Sequence, residues 1–105
     1  MNIDFIILAA GKGTRMGGDS PKVLACLAGK PMIQHLIDTV DSFTSSKTSI
    51  VVGYKANEVE TYLVSQKKLR FVKQKNQLGT AHAVKQALPN IRKNSVAVIL
   101  YGDVP

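Results

Sequence analysis

Residues 11–15 read Gly-Lys-Gly-Thr-Arg and follow directly on a short apolar run. Glycines permit positive φ and let backbone N–H groups approach a phosphate closely. Lys12 and Arg15 add cationic donors, and a guanidinium can grip two phosphate oxygens at once. The spacing excludes two common phosphate motifs. A P-loop needs Gly-x-x-x-x-Gly-Lys-Ser/Thr, whereas Lys12 is followed by Gly13. The dinucleotide fingerprint needs Gly-x-Gly-x-x-Gly, but Met16 holds the third glycine's place and Gly17 comes one residue late. No acid closes the second apolar run, at Val52-Gly53-Tyr54, to hold a ribose. On this loop alone, a tight turn without a ligand remains open.

The elements that must position this loop are legible from periodicity. Residues 3–9 form a short, mainly apolar run with β-branched members, which suits a strand buried on both faces. Residues 31–43 place Met32, Ile33, Leu36, Ile37 and Val40 at helical spacing, with Pro31 as first helical residue. Residues 48–52 read as a second strand. Residues 56–64 read as a helix with Val59, Tyr62 and Leu63 on one face and Asn57 as a cap. Residues 69–72 form a weaker third strand. Residues 80–88 read as a helix with Ala81, Val84, Ala87 and Leu88 inward, ended by Pro89. Residues 96–101 form a fourth, wholly apolar strand. The β-α-β-α-β-α-β order predicts an α/β fold with a parallel sheet, right-handed crossovers and helices on both faces. Ligands in such sheets bind outside the carboxyl ends of the strands. Two stretches fall there, 10–22 and 102–105.

The chain has 105 residues, enough for one domain, with 45% hydrophobic and 20% charged residues. Its net charge of +7 is uneven: +1 over residues 1–52 and +6 over residues 53–105. A basic balance attracts polyanions such as nucleotides, sugar phosphates and nucleic acids. The densest cluster is Lys67, Lys68, Arg70, Lys73 and Lys75, where Phe71 is the one aromatic. That argues for a solvated face and against a nucleic-acid binder, which needs aromatic interleaving. Cys26 is the only cysteine, so no internal disulfide forms; its apolar neighbours suit a small buried residue. The first ten residues have no basic region, and their apolar run is too short for a signal peptide or a membrane span. These features point to a cytoplasmic protein without membrane or nucleic-acid partners. No helix follows the fourth strand before Pro105, so the sequence reads as a fragment of a longer protein.

Leu8-Ala9-Ala10-Gly11-Lys12-Gly13-Thr14-Arg15-Met16, followed by Pro21-Lys22-Val23-Leu24, resembles the signature of the sugar-nucleotide pyrophosphorylase superfamily. Ala28-Gly29-Lys30-Pro31-Met32 continues it. Gln74-Lys75-Asn76-Gln77-Leu78-Gly79-Thr80-Ala81-His82-Ala83 and Tyr101-Gly102-Asp103-Val104-Pro105 are similar to the bacterial N-acetylglucosamine-1-phosphate uridylyltransferases, usually the N-terminal half of a bifunctional enzyme with an acetyltransferase half. The resemblance runs in order from Ile7 to Pro105. It implies a Rossmann-like three-layer αβα nucleotidyltransferase fold of the GT-A-like kind, mostly parallel and here truncated. Residues 1–105 would be the N-terminal part of that domain.

The resemblance also implies roles. Leu8, Ala9, Ala10 and Gly11 would hold the uridine nucleotide through backbone. Arg15 and Lys22 match the catalytic basic residues that contact phosphates. Gln74 matches the residue that reads uracil, and an amide offers a donor and an acceptor to the O4 and N3–H edge. Gly79 and Thr80 match a second nucleotide contact at a helix start. Tyr101, Gly102 and Asp103 match a strand-end segment, with Asp103 as ligand of Mg²⁺, a hard cation that takes carboxylate oxygen. The implied substrates are UTP and N-acetylglucosamine 1-phosphate, and the implied assembly is a homotrimer formed through an absent C-terminal domain. Gly17-Gly18-Asp19-Ser20 is more glycine-rich than the family's usual loop. Taken singly, Asp103 could open a turn before Pro105, Lys22 and Gln74 could be surface residues, and Thr80 could serve only as a cap. His35 and His82 have no carboxylate or second histidine at ligand spacing and read as helix residues without catalytic duty. Rival readings are a related sugar-1-phosphate nucleotidyltransferase and a nucleotide-binding module without turnover.

Overall fold

A computed structural model describes residues 2–10, 26–27, 29–43, 46–53, 56–63, 69–74 and 79–102, with Cys26, Leu27 and Thr80 described in backbone only. β1 runs Asn2–Ala9. A short antiparallel pair follows, β2 (Cys26–Leu27) and β3 (Lys30–Pro31). Then come α1 (Met32–Val40), β4 (Ser46–Val52), α2 (Ala56–Leu63), β5 (Leu69–Lys73), α3 (Thr80–Ala87) and β6 (Ser95–Tyr101). A single 3₁₀ turn, Leu88–Asn90, extends α3 and carries Pro89.

β5, β4, β1 and β6 form one parallel sheet in that order. The chain steps outward from β1 to β4 to β5, then returns to add β6 on the other side of β1. With crossovers of one hand, reversing direction moves the connecting helix to the opposite face. The core divides accordingly. Ile7, Ala9, Ile50 and Val52 pack with Ile33, Leu36 and Ile37 of α1 and with Ala56, Val59 and Leu63 of α2. Ile6, Ala10 and Val51 pack with Ala83 and Ala87 of α3. Alternate residues of β1 and β4 thus serve opposite layers, which is why consecutive residues Phe5–Ile7 and Ile50–Val52 are all apolar and buried.

The expected parallel α/β architecture is present, with corrections of detail. Pro31 is not helical: its ψ of 147° places it before α1, paired with Cys26 in the small hairpin. Asn57 lies inside α2, which begins at Ala56, so it is no cap. Tyr62 is exposed, because the buried stripe of α2 runs through Val59 and Leu63 at i, i+4 spacing and leaves position 62 at its rim. On α3 the inward pair is Ala83 and Ala87; Ala81 and Leu88 face solvent. Among the described residues β6 pairs on one side only, with β1, and Val96, Ile99 and Tyr101 are exposed despite its apolar sequence.

Asp4 sits at the amino end of the sheet, opposite the carboxyl ends. Its buried carboxylate accepts from Arg92 Nε, from the Arg92 backbone N–H and from the Ser95 hydroxyl. Arg92 also donates through Nη2 to the Ile3 carbonyl at 2.9 Å. Burial pushes the Asp4 carboxyl up, but these hydrogen bonds and the Arg92 charge outweigh it and hold the group below its ordinary range.

Candidate functional site

The carboxyl ends of the central strands are tied together by backbone. β1 pairs with β6 so that Leu8 lies opposite Tyr101, and the ladder continues one step as Gly102 N–H donates to the Leu8 carbonyl at 2.9 Å. On the other side Ala9 lies opposite Val52, and Val52 opposite Lys73. That ladder also continues one step, with Gln74 N–H donating to the Val52 carbonyl at 2.7 Å. Residues 8–10, 74 and 101–102 therefore stand at one edge of the sheet. The β1–β6 junction is where the strand order reverses, the place such sheets open a ligand crevice.

α3 brings a further group to this edge. Gly79 caps its start with φ 97° and ψ 176°, a conformation restricted to glycine. The Gly79 carbonyl accepts the first helical bond, from Ala83 N–H at 3.1 Å. The Gln74 side chain, only 3% exposed, reaches this turn. Its Nε2 lies 2.9 Å from His82 Nδ1 and 3.5 Å from the Gly79 carbonyl oxygen. Gln86 Nε2 lies 3.4 Å from the other ring nitrogen of His82. Gln74 is thus not a surface amide: it is a buried polar group anchored on α3.

Of the residues singled out from sequence, Leu8, Ala9, Ala10, Gln74, Gly79, Thr80, Tyr101 and Gly102 fall at this edge by strand register or through the Gln74–α3 contacts. Ala9, Ala10 and Gly102 are buried, and Tyr101 is 51% exposed. Gly11, Arg15, Lys22 and Asp103 lie outside the described residues, as do Lys67, Lys68 and Lys75 of the basic cluster. Among the described residues no three His, Cys, Asp or Glu side chains gather to hold a metal ion. No helix among them is long and apolar enough to cross a membrane. His82 is the partner that sequence reasoning missed. The available signal was His82 and Gln86 at i, i+4 on one helix, three residues past a strand-following Gly, but it says nothing of Gln74 until the strand and helix are docked.

The chain is 48% identical over 98% of its length to the "Bifunctional protein GlmU" of Cellvibrio japonicus, of which it covers 22%. It spans less than a quarter of the length of the curated relatives it matches. HddC from Yersinia pseudotuberculosis, solved in complex with GMP-PN, superimposes with a TM-score of 0.82 at 28% identity, over 95% of this chain and 47% of that one. A nucleotidyl transferase from Methanothermobacter thermautotroptrophicus (Mth528) shares the fold with a TM-score of 0.85 at 24% identity, over 99% of this chain and 51% of that one. The parallel sheet that switches direction at β1, with its carboxyl ends gathered around Leu8 and Gly102, is therefore the nucleotidyltransferase α/β fold. Residues 5–105 match the MobA-like NTP transferase domain, and the chain belongs to that family.

Proposed function

We propose that the protein carrying this chain transfers UMP from UTP to N-acetylglucosamine 1-phosphate. A phosphate oxygen of the sugar phosphate bonds to the α-phosphorus, the bond to the bridging β-phosphate oxygen breaks, and pyrophosphate leaves. The attacking phosphate is already anionic, so no general base is required. The work left to the protein is in-line positioning and charge neutralisation.

Backbone from Leu8 to Gly11 holds the nucleotide, and Gln74 reads the uracil edge. Gly79 and Thr80 present the start of α3 to an anion, where helix N–H groups favour negative charge. Arg15 and Lys22 neutralise the phosphates, and Tyr101-Gly102-Asp103 carries the carboxylate. One carboxylate together with substrate phosphates is the donor set Mg²⁺ usually takes, and Mg²⁺ held so by Asp103 would supply further charge neutralisation.

The observation that carries this reading is the shared sheet edge. Gly102 is bonded to Leu8 at the β1–β6 junction, and Gln74 extends the β4–β5 ladder from Val52, which supports a reading in which three segments of the uridylyltransferase-like motifs line the carboxyl ends of one sheet. The test is a turnover assay with Mg²⁺, UTP and N-acetylglucosamine 1-phosphate, beside a panel of CTP, GTP and dTTP and of other sugar 1-phosphates. UDP-N-acetylglucosamine and pyrophosphate should form in equal amounts. Faster turnover with a different nucleotide or sugar would assign the chain to another branch of the family. Tight UTP binding with no turnover at all would leave a nucleotide-binding module.

A further inference from the structure

We propose that His82 is a positioning residue for base selection: it holds the Gln74 amide so that only the carbonyl oxygen is left to meet a base. This rests on the reading of Gln74 as the base-contacting residue. It adds a direction to that contact and assigns it to a second side chain.

The argument is one of donors and acceptors. Gln74 Nε2 has two hydrogens and two neighbours, His82 Nδ1 at 2.9 Å and the Gly79 carbonyl at 3.5 Å. The Gly79 oxygen is an acceptor only. Turning the amide over would set Oε1 against that oxygen inside a pocket where Gln74 is 3% exposed, a cost that low local dielectric raises. The nitrogen therefore stays toward α3. Nδ1 of His82 must then accept, so the ring hydrogen is on Nε2. Gln86, beyond it, is less buried and turns its own amide to present oxygen to that hydrogen at no comparable cost.

His82 is well placed for this duty. With Gly79 as N-cap it is the third residue of α3, the position from which side chains fold back toward the helix start. Both Gln74 neighbours thus come from one helical turn.

The consequence is chemical. With its NH₂ group held by α3, Gln74 has Oε1 in reserve, and that atom has no hydrogen-bond partner among the described residues. Every fully buried side-chain polar atom among those residues does have one, so Oε1 keeps access to a ligand. A carbonyl oxygen accepts from a ring N–H and repels a bare ring nitrogen. Uracil offers N3–H and cytosine a bare N3, so the arrangement favours the uridine nucleotide. The amide does not serve O4 and N3–H together, as its residue type alone would allow.

The test uses the full chain labelled with ¹⁵N, and calorimetric titration with UTP and with CTP in the presence of Mg²⁺. Long-range ¹H–¹⁵N spectra should show Nδ1 of His82 without a hydrogen; a hydrogen there overturns the proposal. The ratio of CTP to UTP dissociation constants should exceed one. His82→Phe keeps a ring but offers no acceptor, and should lower that ratio roughly five- to tenfold, the scale of one net hydrogen bond. His82→Asn restores an acceptor oxygen and should recover most of it, which a merely structural role does not predict. If His82→Phe keeps the wild-type ratio while Gln74→Ala abolishes it, the positioning role is wrong and Gln74 still reads the base. If Gln74→Ala also keeps the ratio, the reading of Gln74 fails and the proposal falls with it.

Discussion

Arg92 Nε lies 3.1 and 3.4 Å from the two carboxylate oxygens of Asp4, joining the start of β1 to the turn that launches β6 across 88 residues of sequence. The pair is asymmetric: the Asp4 side chain is 5% exposed and that of Arg92 25%. Removing the acid leaves a largely desolvated guanidinium, while the Ser95 hydroxyl keeps the Arg92 carbonyl at 2.9 Å. Asp4→Ala should cost about 3 kcal/mol, the low end for a broken buried pair because Arg92 keeps some water. Denaturant unfolding measures it. The folded-state carboxyl is held low, so its contribution is complete above about pH 4 and is lost as pH falls through the depressed folded value. Asp4→Asn should flatten the acid limb of the stability curve; an unchanged limb would mean that other carboxylates govern acid unfolding.

Gly79→Ala isolates backbone strain. A Cβ added there meets nothing within 4 Å, so no clash confuses the result. What remains is φ 97° with ψ 176°, which should cost about 1–3 kcal/mol. Because Gly79 and His82 both meet the Gln74 amide, nucleotide affinity should fall alongside stability. A thermal melt and a UTP titration on one sample separate the two effects.

Ile37→Ala opens a cavity between α1 and the sheet. Ile37 is fully buried among Ile7, Ile50 and the α2 residues, and should cost about 2–5 kcal/mol by equilibrium unfolding. Ile99→Ala removes the same side chain from the exposed face of β6, where Ile99 is 44% exposed, and should cost clearly less.

Lys30→Ala tests a surface pair. Lys30 Nζ donates to Asp38 at 2.7 Å and Gln34 donates to the other oxygen at 2.8 Å, joining β3 to α1. Both charged side chains are nearly half exposed, at 46% and 47%. The loss should stay within about 0.5 kcal/mol and shrink further in salt. A larger change would show that the hairpin's docking depends on this bridge.

Lys22→Ala and Arg15→Ala test the proposed charge neutralisation. Each should lower the turnover of UTP with N-acetylglucosamine 1-phosphate by roughly 10²–10³, as for loss of one transition-state donor. The stability curve should move little. Asp103→Ala should abolish the response of turnover to added Mg²⁺; wild-type turnover in that variant would remove its metal role.

The order of elements was legible because local chemistry dictates it. The largely apolar stretches at 3–9 and 48–52 became β1 and β4, with Phe5–Ile7 and Ile50–Val52 buried on both faces, and α1 buries the stripe Ile33, Leu36, Ile37 and Val40. Alternation of strands and helices then leaves few topologies, and motif spacing indicated the family. What sequence could not supply were relationships that exist only after docking. Apolar composition could not tell that β6, among the described residues, pairs only with β1, because a strand's place follows from which strand pairs with which. Tyr62, Ala81 and Leu88 looked inward by type, yet their exposure depends on how each helix is rotated on the sheet. Gln74 and His82 stand eight positions apart in one motif, and nothing in that motif says that their side chains meet. Their contact required β5 to end at Val52's level and α3 to begin beside it. Hydrophobic periodicity acts within a turn or two of chain and is written locally, whereas hydrogen-bond partners are set by distances across the fold, which only the packed sheet determines.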